Sequence, residues 1–526
     1  MLGLSKGEIM SIRKVLALLS ALFGLAFLVA CGSGSPKPTP PPSGSFSDAD
    51  LNGTYTFSTV GTDSSGSLIA IAGSFSANGS GGITGGAFDL NDPAIGIFSD
   101  QAISSSNYSV SVDGRGQATL NTSSGQVGLA FVLASDAHGL ITEFDNTGSG
   151  SGTLDLQSSP TLAGPYTFSF SGIDVAGNPR SMVGTFAVDG SGTITSGTAD
   201  VNDAGIPAPN QSLSGTVTLG SGTTPGTATL VTSSSGTSHY DVYAIDSTHL
   251  KFIEIESGSP PVVIGDAFAQ QTTIPSGQIV FTAAGLDASG NPMALGGFMT
   301  SDGVSAITNG LEDFNDAGTV SSSQLSFSGS FTPVTGGRSL FTLNSFFNGT
   351  TNSYTFAAYP SSGGIQLLEI DSSGITTGAA YAQSSTSFST PEGYGFNVSA
   401  SNSGGYEEDD IAEFQPSGGN LCTGTCLIDV NDEGSTSYGN RITGSYADDG
   451  TGSGRGAIST TYVNGLYYTI DGSSLLFLET DNNQVGLGSL GLQTPSSAGS
   501  MLKLSHFARV RPKGSARVAW KHKAEK

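Results

Sequence analysis

The sequence predicts an all-β protein made of four tandem units. A short acidic phrase occurs four times at intervals of 111 to 116 residues, and a fixed period of this kind indicates tandem repeats. Charged residues are only 12% of the chain, which has 76 glycines among 526 residues. Short segments in which apolar and polar residues alternate between Gly-rich turns are typical of β-strands. The phrase occupies residues 89–92, 200–203, 313–316 and 429–432.

The N-terminal segment predicts export. A basic stretch precedes an apolar run that ends at Ala30, so residues 1–30 are interpreted as a signal peptide. The sequence Leu28-Val29-Ala30-Cys31 resembles the lipobox of bacterial lipoproteins. This resemblance implies cleavage before Cys31, a lipid on its sulfur, and transport to the outer membrane because Gly32 follows. An ordinary signal peptide with a chance cysteine is the alternative.

Composition divides the rest of the chain. Residues 31–47 are rich in Pro, Gly and Ser and are predicted to be a tether. Four β units then follow at 48–159, 160–272, 273–385 and 386–497. A basic tail covers 498–526, and we expect it to be disordered or to dock on the acidic repeats, with anionic lipid as an alternative partner.

Each unit predicts a meander of about eight antiparallel strands. An opening strand and a second strand lead to a Gly-rich hairpin such as Asp189-Gly190, and the third strand runs into the acidic phrase. Less regular strands follow. A second signature, Glu-x-Asp or Glu-x-Glu, then begins at Glu143, Glu254, Glu369 and Glu479. The opening Gly-x-Tyr of the first two units is similar to the Gly-x-Trp start of lipocalin- and avidin-type barrels.

The scarcity of lysine favours closed sheets. Open sheets protect their edge strands with Lys or Pro, whereas residues 48–497 contain a single lysine, Lys251. Eight strands are also enough to close a small barrel around its own side chains. We therefore expect four closed or nearly closed barrels, with β-sandwiches or propeller blades as alternatives.

The acidic phrase has two interpretations. Asp and Asn followed by Gly start turns in which side chains bond to backbone amides. Their oxygen atoms are also the ligands that calcium prefers, so calcium binding is the alternative, although no cofactor is favoured. The residues concerned are Asp89, Asn91, Asp92, Asp200, Asn202, Asp203, Asp313, Asn315, Asp316, Asp429, Asn431 and Asp432.

The second signature places two carboxylates on one strand face. Paired carboxylates could serve a glycosidase, but four similar pairs favour a structural role on a solvated face. Arg115, Arg338 and Arg455 lie at comparable positions in three units and are predicted to pair with these carboxylates as exposed ion pairs. No catalytic residue is proposed.

The remaining cysteines predict a disulfide. Cys422 and Cys426 lie in one short loop of an exported protein, and two thiolates alone make an incomplete metal site.

Charge and repetition suggest a binding protein. The formal net charge of −25 would repel nucleic acid, so nucleic-acid binding is excluded. We expect a lipid-anchored, non-catalytic protein of the cell envelope that displays tandem β domains for binding or adhesion to a glycan, a protein or a small apolar ligand. The alternatives are a small-ligand carrier that uses barrel interiors and a carbohydrate-acting enzyme. The sequence does not predict the oligomeric state.

Overall fold

The prediction of an all-β fold is confirmed. The structure is a computed structural model that describes residues 45–495, apart from 163, 257–260, 322, 348–349, 388, 391, 403–405 and 423. It contains 35 strands and one 3-10 turn, Asp48–Asp50. Within these residues no helix has the length and apolar character needed to cross a membrane.

Barrel 1 is a nine-stranded sheet that closes through pairing of β2 with β3. The β4 and β5 strands both pair with β3 and together occupy one position in the barrel wall. The strands are β1 (Asn52–Asp63), β2 (Leu68–Asn78), β3 (Gly82–Asp92), β4 (Gly96–Ile103), β5 (Ser106–Val110), β6 (Arg115–Thr122), β7 (Gly125–Leu133), β8 (His138–Phe144) and β9 (Gly148–Leu156).

Barrel 2 is a closed barrel of eight consecutive strands, the number predicted for each unit. The strands are β10 (Pro165–Ile173), β11 (Pro179–Val188), β12 (Ile194–Asp203), β13 (Ile206–Val217), β14 (Gly226–Thr232), β15 (Gly236–Asp246), β16 (His249–Glu254) and β17 (Val262–Ala269).

Barrel 3 repeats the arrangement of barrel 1 and closes through pairing of β19 with β20. The strands are β18 (Ser276–Asp287), β19 (Pro292–Asp302), β20 (Ala306–Asp316), β21 (Thr319–Val320), β22 (Leu325–Phe331), β23 (Ser339–Phe347), β24 (Thr350–Ser361), β25 (Gly364–Glu369) and β26 (Gly374–Ala382).

Barrel 4 is nearly closed. Its sheet ends at β30 and β31, which are consecutive in the chain and separated only by Thr443. The strands are β27 (Tyr394–Asn402), β28 (Glu407–Phe414), β29 (Cys426–Asp432), β30 (Ser435–Ile442), β31 (Gly444–Asp448), β32 (Arg455–Thr460), β33 (Asn464–Thr469), β34 (Ser474–Glu479) and β35 (Gln484–Leu492). Cys422 and Cys426, the first residue of β29, form the predicted disulfide.

Each barrel is filled by alternate side chains of its strands. In barrel 2 the buried rings of Tyr166, Phe168 and Phe170 follow one another on the inward face of β10. Phe168 lies over Gly184 of the neighbouring strand, where an added Cβ would approach its Cζ to 2.7 Å. A glycine at position 184 therefore leaves room for the Phe168 ring in the core.

The acidic phrase ends in a tight hairpin in three barrels. Asp316 pairs with Thr319 across the two-residue loop Ala317-Gly318, whose φ angles are 47° and 80°. Two successive left-handed residues match the twist of an antiparallel pair, and the second is glycine because that conformation carries no steric cost for it. The turn interpretation of the phrase therefore applies to its last residues.

The outward faces of the barrels pack on one another in a closed cycle. Apolar clusters join barrel 1 to 2, 2 to 3, 3 to 4, and barrel 4 back to barrel 1. Val183 of barrel 2, for example, packs with Tyr359 and Leu368 of barrel 3. We call these four contacts the junctions. Many strands are consequently buried on both faces.

Candidate functional site

The asparagine of each acidic phrase belongs to a junction. In the 2–3 junction, Nδ2 of Asn202 donates to the carbonyl oxygens of Glu369 (2.9 Å) and Gly374 (3.2 Å). Glu369 ends β25 and Gly374 begins β26 of the next barrel, so the Asn202 side chain connects the two strand ends of this hairpin. Equivalent bonds run from Asn91 to barrel 2, from Asn315 to barrel 4 and from Asn431 to barrel 1. The two sequence signatures therefore bind each other across successive barrels.

The first aspartate of the phrase binds an arginine of the next barrel. Asp200 accepts from Nε (2.6 Å) and Nη2 (2.7 Å) of Arg338 and from the Tyr359 hydroxyl (2.5 Å). Asp313 binds Arg455 and Tyr468 in the same way, and Asp429 accepts from Arg115 at 2.5 Å. The predicted exposed pairing with the second signature is wrong. The arginines lie at the junctions, where Arg338 and Arg455 side chains are 17% exposed and Arg115 only 2%.

The 1–2 junction lacks this arginine, since residues 160–272 contain only Arg180. Asp89 instead lies beside Asp241 and Tyr243 of barrel 2. Burial and the neighbouring Asp241 raise the pKa of Asp89 to about 8, and burial raises the pKa of Asp241 to about 6. The 1–2 junction therefore has two carboxyls with raised pKa values where the other junctions hold an arginine.

The glutamate of the second signature is buried, so its prediction as part of a solvated face is wrong. Glu143, Glu254, Glu369 and Glu479 are at most 2% exposed. The strand that carries each glutamate faces the barrel interior on one side and a neighbouring barrel on the other. Burial raises the pKa of Glu254 to about 7, and burial with the nearby Asp371 raises that of Glu369 to about 8. A solvated face requires one exposed side, and these strands have none.

Several of the side chains proposed for calcium bind other groups in the structure. Asp200, Asp313 and Asp429 bind arginine, and the asparagines bind carbonyl oxygens through their amide nitrogens. Asp92 accepts from the backbone nitrogen of Ala94 at 2.7 Å as part of a turn. Across the part of the chain that the structure describes, no three His, Cys, Asp or Glu side chains gather as metal ligands.

Barrels 1 and 4 bring carboxylates from different repeats together around one cation. Asp113 and Asp429 both pair with Arg115, and burial and Asp113 raise the pKa of Glu413 well above its ordinary value. Asp113, Asp429 and Glu413 are fully buried. These three carboxyl groups therefore lie inside the 4–1 junction, away from solvent.

A second buried ionic network lies in the 1–2 junction. Nζ of Lys251 donates to Oγ1 of Thr153 (2.7 Å) and lies 3.4 Å from Asp266 and 3.7 Å from Asp155. His249 binds Asp266, and His138 binds Asp155. Lys251 is the one lysine in residues 48–497, which makes it conspicuous in the sequence. The repeat pattern does not predict that it lies in the 1–2 junction.

Barrel 3 contains a cavity of about 150 Å³, which is the candidate functional site. Its apolar walls come from inward side chains of several strands, among them Phe281, Leu295, Met299, Phe341, Phe356 and Leu367. Its polar end is formed by Glu312, Asp316, Tyr354 and Glu369. The cavity therefore combines an apolar body with an acidic end.

A comparison of equivalent side chains in barrels 2 and 3 explains why barrel 3 contains a cavity. Phe168 and Phe281 occupy equivalent positions because each opposes a glycine, Gly184 or Gly297, in the second strand. Two residues further along, barrel 2 has Phe170, whose ring centroid lies 5.1 Å from that of Phe252 and 5.3 Å from that of Tyr240.

Barrel 3 has Ala283 at the position of Phe170 and Leu367 at that of Phe252. Both replacements are visible in the sequence. That they leave a cavity becomes clear only from the strand register, which shows that the two smaller residues occupy the positions of two packed rings.

Three predicted features lie outside the described residues. These are Cys31 with its signal peptide, residues 31–44 of the predicted tether, and the basic tail from residue 498.

Comparisons with known proteins add little. No protein-family model matches the chain, and no curated protein matches it. A solved structure of the vaccine antigen Transferrin Binding Protein B mutant Trp-176-Ala, from Haemophilus parasuis Hp5, is 10% identical with a TM-score of 0.18, covering 70% of this chain and 86% of that one. Intact Ap-TbpB, with its N and C lobes, is 9% identical with a TM-score of 0.17, covering 68% of this chain and 84% of the other. Similarity at this level carries no functional argument.

Proposed function

We propose that this protein is a non-catalytic, lipid-anchored binding protein of the bacterial cell envelope, and that its ligand site is the interior of barrel 3. The cavity with apolar walls is the observation that carries this proposal. Ligand sites are typically concave, mostly apolar and lined by a few convergent polar groups. A cavity of about 150 Å³ lined by apolar side chains can hold a group the size of benzene.

Adhesion through four equivalent weak sites has less support. Its basis was the repetition of the acidic phrase and of the Glu-x-Asp signature. These segments bind each other at the junctions, so their repetition is explained by the cycle of barrels. A small-ligand carrier displayed on a lipid anchor agrees better with a cavity in a single barrel.

The cavity is tested by titrating the full chain with benzyl alcohol, a neutral probe of matching size, in a calorimeter. We expect binding by the natural sequence and at least tenfold weaker binding by Ala283→Phe, which places in barrel 3 the ring that barrel 2 has at Phe170. Ser328→Ala, on the exposed face of the same barrel, is the matched control and should bind normally. Absence of binding, or equal binding by Ala283→Phe, would refute the proposed site.

The anchor is tested separately. Cys31→Ser removes the sulfur that the lipobox resemblance marks for lipid attachment. We expect the variant to move from the membrane fraction to the soluble fraction of the producing bacterium. Retention in the membrane fraction would contradict lipid anchoring at this residue.

A further inference from the structure

We infer that the cavity of barrel 3 takes a small organic amine, with the aromatic or aliphatic body among the apolar walls and the protonated nitrogen among Glu312, Asp316 and Glu369. This inference rests on the proposed ligand site and adds the chemical class of its ligand. It depends on three observations: the charges that line the cavity, an available buried oxygen, and a replacement that distinguishes barrel 3 from barrel 2.

Apart from Tyr354, the ionisable side chains at the cavity are all carboxylic acids. Glu312, Asp316 and Glu369 line its polar end, and none of the described residues that line it is Lys, Arg or His. The Tyr354 hydroxyl lies near these three carboxyls and near that of Asp371. An ammonium group would complement this end, because an opposite charge within a few ångströms favours the ionised carboxylate.

One buried oxygen is available to a ligand. Glu369 is 1% exposed, and its Oε2 accepts from the backbone nitrogen (3.1 Å) and hydroxyl (2.9 Å) of Thr376. Its Oε1 accepts no hydrogen bond. The Glu369 carboxyl group as a whole lies near that of Asp371. Glu312 accepts from the Ser345 hydroxyl at 2.5 Å. A buried acceptor without a donor costs free energy, and an N–H donor of a ligand would remove that cost.

Barrel 2 supplies its own cation at the corresponding place. Arg180 opposes Asp203 in the strand register and lies near Glu254, where its charge lowers the pKa of both carboxyls against the effect of burial. Met293 opposes Asp316 at the equivalent position of barrel 3 and lines the cavity. Barrel 3 therefore keeps the acidic groups but has methionine in place of the internal guanidinium. A ligand cation would restore the charge balance.

The apolar walls distinguish an organic amine from a metal ion. Phe281, Met299, Phe341 and Phe356 offer apolar surface, whose burial stabilises an organic body and not a bare metal ion. The volume of about 150 Å³ fits one compact ring or a short branched chain. Benzylamine is therefore a suitable probe.

The test compares three probes of one size on the full chain by calorimetry: benzylamine, benzyl alcohol and benzoate. We expect benzylamine to bind at least tenfold more tightly than benzyl alcohol, and benzoate not to bind. Glu369→Gln keeps the shape of the site and should weaken benzylamine about tenfold while leaving benzyl alcohol unchanged. Glu254→Gln, the same position in barrel 2, is the matched control and should change neither affinity.

The outcomes separate this inference from the proposed function. If benzyl alcohol binds and benzylamine binds no better, the amine preference is wrong and the ligand site remains. If no probe binds, the amine preference and the proposed ligand site are both wrong. Competition of calcium with benzylamine at the Glu369 site would show that the acidic end holds metal ions and would also overturn the inference. Met293→Arg, copied from barrel 2, should abolish the preference for the amine over the alcohol.

Discussion

One asparagine in each repeat joins two barrels, and its chemistry suits that position. An amide side chain has two N–H donors and one carbonyl acceptor, all without charge. Asn431 uses both donors on the carbonyl oxygens of Glu143 (2.7 Å) and Gly148 (2.9 Å), and its Oδ1 accepts from Gly434 in its own hairpin (2.9 Å). Aspartate would present acceptors to acceptors. The side chain therefore satisfies buried backbone groups in two barrels at once.

Replacing such an asparagine should weaken its junction. Asn202→Ala leaves the carbonyl oxygens of Glu369 and Gly374 without their donor, and a buried unsatisfied group costs about 1–3 kcal/mol. We expect the free energy of unfolding to fall by that amount in urea titrations followed by fluorescence. Ser196→Ala, on an exposed position of the same strand, should leave it unchanged. An effect no larger than that of Ser196→Ala would contradict the bridging role.

For the strands, the sequence predicted burial of the side chains that face the barrel interiors better than burial of those that face neighbouring barrels. Alternation of apolar and polar residues marks the inward side of β10, where Phe168 is completely buried. Glu369 and Asn202 are polar, and a polar residue near a strand end is ordinarily expected to meet water. Asn202 is buried by the next barrel and Glu369 by the interior of its own barrel, and local periodicity registers neither environment. The same limit explains why the arginines were assigned the wrong partners.

Removing an aromatic ring from the core of barrel 2 should lower the free energy of unfolding. Phe170→Ala removes a ring that packs on Phe168, Tyr240 and Phe252 at centroid distances of 4.7 to 5.3 Å. Replacement of a buried phenylalanine by alanine costs about 3–5 kcal/mol. Hydrogen exchange should show faster opening of β10 and β16, with β27 in barrel 4 as the internal reference. Unchanged protection of β10 would mean that the ring does not support this core.

The disulfide should have a local effect. Cys422 and Cys426 are four residues apart, and closing so short a loop stabilises by about 2 kcal/mol in the chain-entropy model. We expect the double variant Cys422→Ser/Cys426→Ser to lose hydrogen-exchange protection in β29 and to retain it in barrels 1 to 3. Loss of protection throughout the chain would show instead that the bridge supports the whole cycle.

At the scale of the whole molecule, the repeat period predicted four separate cores, and the structure adds the contacts that close them into a cycle. The 4–1 junction joins Asn431 to Glu143, residues from the last and first repeats. Sequence periodicity shows that units are alike. It does not show whether like units meet, because the same outward side chains would be present on separate barrels. The three arginines were the available signal, because they recur at comparable positions in three of the four repeats.

The junction without arginine should make the stability of the molecule depend on pH. The folded pKa of Asp89, about 8, is raised above the ordinary value, so its stabilising contribution is present in acid and is lost as the pH rises through 8. Asp241, with a folded pKa of about 6, acts in the same direction. The free energy of unfolding should therefore fall between pH 5 and pH 8. Each unit of pKa shift corresponds to about 1.4 kcal/mol, so the contribution of Asp89 and Asp241 is on the order of a few kcal/mol.

Equivalent substitutions at two junctions should then have opposite effects. Asp89→Asn removes a carboxyl that must keep its proton, so at pH 8 we expect a higher free energy of unfolding and a flatter pH profile. Asp200→Asn removes the buried carboxylate that pairs with the half-buried Arg338 and should destabilise by about 3 kcal/mol at both pH values. Urea titrations at pH 5 and pH 8 measure both. Destabilisation by Asp89→Asn equal to that of Asp200→Asn would mean that Asp89 is ionised and has a cationic partner, as in the other junctions.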